Sequence, residues 1–199
     1  SKTLKFVLSA LPGKRWQGED SLDAVWLLSA ALGTGLLKDE GLLRAKEAYE
    51  RIHPLSDQLP PVGIALLLQC AHHLARSTDI PSLVKNLESS VQRHSSGSLG
   101  ETATWGTVDG YAPHLSGLIE STALCLEALL LVDPRHPLID PAAAALLLNR
   151  QSNRWSNTRD TSHAALALLA YARNRGETAS EAAFHFALNL NGVLFLGPS

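Results

Sequence analysis

The chain contains no methionine, only two cysteines, and aromatic residues at 6% of its 199 positions. Two cysteines, Cys70 and Cys125, exclude a disulfide-stapled scaffold. Each stands in an apolar run of helical character, where a free thiol behaves as a small hydrophobe. Charge of either sign is scarce in excess: 17 basic against 19 acidic side chains leave a formal net charge of -2. That balance lacks the basic footprint of a nucleic-acid binder. Long hydrophobic runs are missing too. Stretches such as Ala142–Leu148 fall well short of the ~20 residues a helix needs to cross a bilayer. The lack of Met, position 1 included, reads as a segment excised from a larger protein, in which no targeting signal is expected to be visible.

What the sequence has is leucine and alanine, with few β-branched residues before its end. Punctuation by Gly and Pro predicts seven helices. They cover Leu22–Leu32, Glu40–Ile52, Val62–Arg76, Ser82–His94, Leu118–Val132, Ala142–Arg150 and Arg159–Asn174. Gly33 and Gly35 stop the first, and Pro60-Pro61 opens the third. Leu83, Leu87 and Val91 fall at four-residue spacing in the fourth. Pro141 is expected at the first position of the sixth. Asn157 is placed to cap the seventh, with Asp160 in its first turn, where the helix dipole favours a carboxylate. Ser95–Ser116 and Gln151–Asn157 read as loops. At the end, Asn191-Gly192 between two apolar runs predicts a β-hairpin. A lone hairpin is marginal in water, so residues 1–176 read as one helical region and 177–199 as a linker and the first hairpin of a following β-domain.

Helices apolar on nearly all sides (22–32, 62–76, 118–132, 159–174) alternate with more amphipathic ones. A helix apolar all round must be covered all round, which predicts an inner layer wrapped by an outer one. The simplest such arrangement is an all-α, curved stack of helical hairpins. Trp16, Trp105 and Trp155 stand in loops that precede inner helices, consistent with a degenerate repeat of about 50 residues in which each tryptophan seals the end of an inner helix.

The stretch Asn153-Arg154-Trp155-Ser156-Asn157-Thr158-Arg159-Asp160-Thr161, followed by the Ala/Leu-rich 164–171, resembles the last helical hairpin of alpha-2-macroglobulin and complement thioester domains. In that family an aromatic-Gly/Ser-Ser-Thr-Gln-Asp/Ala-Thr loop feeds such a helix. Ile119-Glu120-Ser121-Thr122-Ala123-Leu124-Cys125-Leu126-Glu127-Ala128-Leu129 is similar to the family's Val-Glu-x-Thr helix, and Trp105 fits the aromatic that precedes it. The resemblance is specific over residues 118–172. It implies an α/α toroid (terpenoid cyclase-like) and marks Trp105, Glu120, Thr122, Trp155, Ser156, Thr158, Asp160 and Thr161 as the family-pattern residues. It also implies an extracytoplasmic, bacterial-type parent that traps proteases, with neighbouring domains of the same chain and proteases as partners. No cofactor is implied. The family's reactive Cys-Gly-Glu-Gln motif is absent: Cys70 precedes Ala71-His72-His73 and Cys125 precedes Leu126-Glu127-Ala128. Either the chain begins after the motif or its parent lacks it. Both readings make this a non-catalytic helical domain that forms no thioester. A complete twelve-helix toroid is longer than this chain, so the chain reads as the later part of one.

The same residues also offer enzyme readings. Glu120 and Glu127, seven apart on one helix face, suggest paired glycosidase carboxylates, although ~10.5 Å of axial rise slightly exceeds the ~6.5–9.5 Å of inverting enzymes. The plainer reading is one loop-bonding and one partly exposed glutamate. Asp160 and His163 share a face but want a third metal ligand; the plainer reading has Asp160 on backbone amides at the helix start. His72 and His73, ~100° apart on a helix, are expected to divide between core and solvent. His114, beside Asp109, sits in the 95–116 loop. The three loop tryptophans could line a terpenoid cavity, but no Asp-rich metal motif accompanies them. A toroid enzyme acting on glycosides or terpenoids, or a helical-repeat binding module with a groove at Tyr111–Ser116, remain the alternatives.

Overall fold

The computed structural model describes residues 19–35, 37–96, 100–106, 117–152, 154–177, 187–190 and 193–196. Within them the helices are α1 (Glu19–Gly33), α2 (Asp39–Ile52), α3 (Pro61–His73), α4 (Ile80–Ser89), α5 (Leu118–Val132), α6 (Ile139–Leu148) and α7 (Thr158–Arg175). A 3-10 turn, His53–Gln58, extends α2. All seven expected helices are present. Trp16, Asp109, Tyr111, His114 and the Asn191-Gly192 turn lie outside the described residues.

The layering follows the sequence pattern. Helices α1, α3, α5 and α7 pack each on the next, and α2, α4 and α6 lie outside them. Helix α3 buries ten residues and α5 eleven, including Leu67, Leu68, Leu126 and Leu129. These two central helices have neighbours on every side, which their all-round apolar character requires. Trp26 of α1 reaches α7, with its ring 5.9 Å from that of His163, so the inner layer curves back on itself.

Several boundaries differ from the sequence reading. Helix α3 stops at His73 rather than Arg76, because Ala75 turns left-handed (φ 55°) and Arg76 N–H bonds the Ala71 carbonyl at 2.8 Å. That is a Schellman closure made without its usual glycine. Helix α6 begins at Ile139, which places Pro141 third; its missing N–H is still one of the four left unpaired at a helix start. Helix α4 ends at Ser89 rather than continuing to His94. Ser89 and Ser90 hydroxyls bond the Asn86 and Leu87 carbonyls at 2.7 and 2.9 Å and tie off the last turn.

The expected loop at Ser95–Ser116 is in part a hairpin. Strand β1 (Gln92–Ser96) pairs antiparallel with β2 (Gly100–Thr104) in the register Gln92↔Thr104 to Ser96↔Gly100. Thr102, Ala103 and Thr104 are buried and β2 packs on α6, which supplies the burial an isolated hairpin lacks. At the C-terminal end, β3 (Ala187–Leu190) and β4 (Val193–Leu196) pair antiparallel with Leu190 opposite Val193, as the expected two-residue connection requires.

Candidate functional site

Two tryptophans make the same set of contacts in successive hairpins. Trp105 is fully buried; its indole N–H donates to the Leu87 carbonyl in the last turn of α4, at 2.9 Å. Its backbone N–H donates to the Thr122 hydroxyl in α5 at 3.2 Å. Trp155 repeats this one hairpin on. Its indole N–H donates to the Leu146 carbonyl in the last turn of α6 at 2.9 Å, and its backbone N–H to the Thr161 hydroxyl in α7 at 3.2 Å. Each tryptophan thus donates to a carbonyl in the last turn of an outer helix, that of Leu87 being shared with the Ser90 hydroxyl, and is itself held by a threonine near the start of the next inner helix. The rings close hairpin ends as expected, but at the last turns of the outer helices α4 and α6 and not at the ends of inner helices.

The two threonines set a correspondence between α5 and α7, in which Glu120 matches Arg159. These two residues meet. Arg159 Nε donates to Glu120 Oε1 at 2.6 Å, while Glu120 is 2% exposed. His163 Nε2 lies 3.3 Å from the same oxygen. The Arg159 guanidinium stands over the Trp26 ring, 5.6 Å from its centroid, within cation–π range. Burial pushes the Glu120 carboxyl above the usual carboxylate range, against the pull of Arg159. Burial, and then Arg159, push the His163 imidazole below its ordinary value. Arg159 is therefore the cation that faces Glu120 at neutral pH. Trp26 Nε1 is buried with no hydrogen-bond partner among the described residues.

Asp160 points elsewhere. Its carboxylate accepts from Ser156 Oγ at 2.7 Å and Asn157 Nδ2 at 2.8 Å, while its own N–H donates to Asn157 Oδ1 at 2.8 Å. The expected bonds to backbone amides are replaced by this reciprocal exchange, because the Asn157 side chain already caps the amide. A Cβ on Gly117 would come 3.3 Å from Asp160 Oδ1, so the starts of α5 and α7 fit closely there. The Asp160 carboxylate is held by Ser156 and Asn157, while His163 turns to Glu120. His72 and His73 are both exposed, in the final turn of α3, instead of one facing the core. No group of three His, Cys, Asp or Glu side chains could hold a metal among the described residues.

Glu127 lies two turns along from Glu120, on the same face of α5. It is half-buried and makes no hydrogen bond or ion pair among the described residues, and burial pushes its carboxyl up to about 7. Thr158 opens α7 and is exposed. Cys70 and Cys125 are free and buried; burial raises both thiols above their ordinary range. Sequence reasoning missed Arg159 and Trp26. The only local signal was an arginine where the resembling family has glutamine.

The sequence matches no known protein-family model, and no curated protein matches it. No described helix is long and apolar enough to cross a membrane.

Proposed function

We propose that the chain is a non-catalytic helical domain of an alpha-2-macroglobulin-like extracytoplasmic protein, part of an α/α toroid that serves protease trapping without a thioester of its own. The observation that carries this reading is the repeated tryptophan–threonine clamp. Residues of the resembling motifs, Trp105, Thr122, Trp155 and Thr161, are those that fasten one helical hairpin to the next. Glu120, Ser156 and Asp160 fix the starts of the same inner helices. All are engaged in holding the fold, which suits a scaffold between neighbouring domains. On this reading the hairpin in 177–199 opens a following β-domain. The test uses the parent polypeptide with an endopeptidase. Trapping leaves the protease active on a small peptide but blocked toward a large protein substrate; equal activity on both would refute the reading.

A glycoside-active enzyme on the same architecture is the second reading, and Glu127 is what favours it. A half-buried carboxyl that holds its proton near neutral pH has the property of a general acid. Polysaccharide hydrolysis that disappears in Glu127→Gln would establish it, and hydrolysis unchanged by that substitution would dismiss it.

A further inference from the structure

Helix α7 is attached unlike the other inner helices. It buries three residues, Asp160, Ala164 and Ala167, lays Leu168, Ala170 and Tyr171 partly buried against the core, and leaves Leu166 and Leu169 58% and 41% exposed. The two alanines let α5 and α7 approach closely, but a buried methyl removes little apolar area from water, and burial energy scales with that area. Towards α6, by contrast, α7 is tied at both ends. The Trp155 indole holds its entry to Leu146, and Asp140 of α6 takes the Tyr171 hydroxyl at 2.9 Å together with the Arg175 guanidinium.

We propose that α7 is a flap hinged along α6 and latched to the inner layer by Arg159, which sits between Glu120 of α5 and the Trp26 ring of α1. The latch is two-state for an electrostatic reason. A buried carboxylate stripped of its cation is costly, so Glu120 stays dry and charged only while Arg159 is in place. When Arg159 leaves, Glu120 must take a proton or meet water, and it is the second route that lifts α7 from α5. Lifting bares the α5 surface that Ala164 and Ala167 cover. Among the described residues, His163 and Asp160 on α7 are the other ionisable groups about the latch: His163 lies against Glu120, and Asp160 is held by Ser156 and Asn157. The inference rests on described residues alone and stands without the family reading.

Hydrogen exchange of the 199-residue chain tests it. A helix freed from tertiary packing frays, so Arg159→Met is expected to raise exchange of the α7 amides tenfold or more while α3 and α6 keep wild-type protection. Glu120→Gln in the same chain removes the need for a cation and is expected to restore α7 protection. The idea is overturned if Arg159→Met leaves α7 unchanged, if it raises exchange equally in α3 and α7, or if the second substitution gives no rescue.

Discussion

The indole N–H of Trp155 closes the end of α6 by donating to the Leu146 carbonyl at 2.9 Å, the contact that Trp105 makes with Leu87 at the end of α4. Phenylalanine at either position keeps most of the ring but removes the donor. Among the described residues the Leu146 carbonyl is then left without a donor, whereas the Leu87 carbonyl keeps the Ser90 hydroxyl at 2.9 Å. Trp155→Phe should therefore cost about 1–3 kcal/mol and Trp105→Phe less, because leaving a buried acceptor unpaired is the larger penalty. Urea unfolding checks the order. Two variants as stable as wild type would show that the rings contribute volume alone.

Glu127 makes stability pH-dependent, and the sign follows from its raised carboxyl. In the unfolded chain this group titrates in the ordinary carboxylate range; in the folded protein burial lifts it to about 7. The folded state therefore binds more protons between those values, and stability falls as pH rises through that window. At about 1.4 kcal/mol per unit, with a discount for its partial exposure, the penalty above pH 7 is roughly 2 kcal/mol. Glu127→Gln should raise the melting temperature at pH 8 and change it little at pH 4. An equal gain at both would trace the effect to packing.

Ala75 and Gly176 end α3 and α7 with the same left-handed turn, at φ 55° and 75°. Glu177 N–H bonds the Ala172 carbonyl at 2.9 Å, as Arg76 N–H bonds that of Ala71. A left-handed residue with a Cβ costs roughly 1 kcal/mol relative to glycine. Ala75→Gly is thus expected to stabilise the chain by about that much and Gly176→Ala to destabilise it. Chemical denaturation that shows no gain for Ala75→Gly would mean that the added freedom of the unfolded glycine offsets the relief.

The seven helices were legible because their signals are local: apolar spacing, a Gly stop after α1, Pro-Pro before α3 and an Asn cap at α7. The end of α4 was not, since Leu83, Leu87 and Val91 keep a helical period. What stops that helix includes a contact from Trp105, 18 positions on from Leu87. The hairpin β1–β2 hid in polar sequence because its buried residues are Thr102, Ala103 and Thr104, too small and too polar to read as a strand. In the site, Glu120 and Asp160 stood out as carboxylates at helix starts. Their partners did not. Arg159 lies 39 residues from Glu120, and Trp26 meets Arg159 only because the inner layer bends back.

Cys70 and Cys125 give the last prediction. Thiolate is the reactive form of cysteine, and burial disfavours it at both positions: Cys70 is fully buried between α1 and α3, and Cys125 is fully buried near the Pro61 carbonyl. Neither thiol is followed by the Gly-Glu-Gln that a thioester of the resembling family requires. The native chain should therefore incorporate no labelled methylamine. Its two thiols should react with an aromatic disulfide reagent at pH 8 about a hundredfold or more slower than in denaturant. Because reaction requires opening, the two cysteines should differ only if the structure opens in parts. Cys70 reacting ahead of Cys125 would mean that α1 leaves α3 before the centre of the inner layer comes apart. Prompt labelling of either thiol in the native state would contradict the packing of α3 against its neighbours.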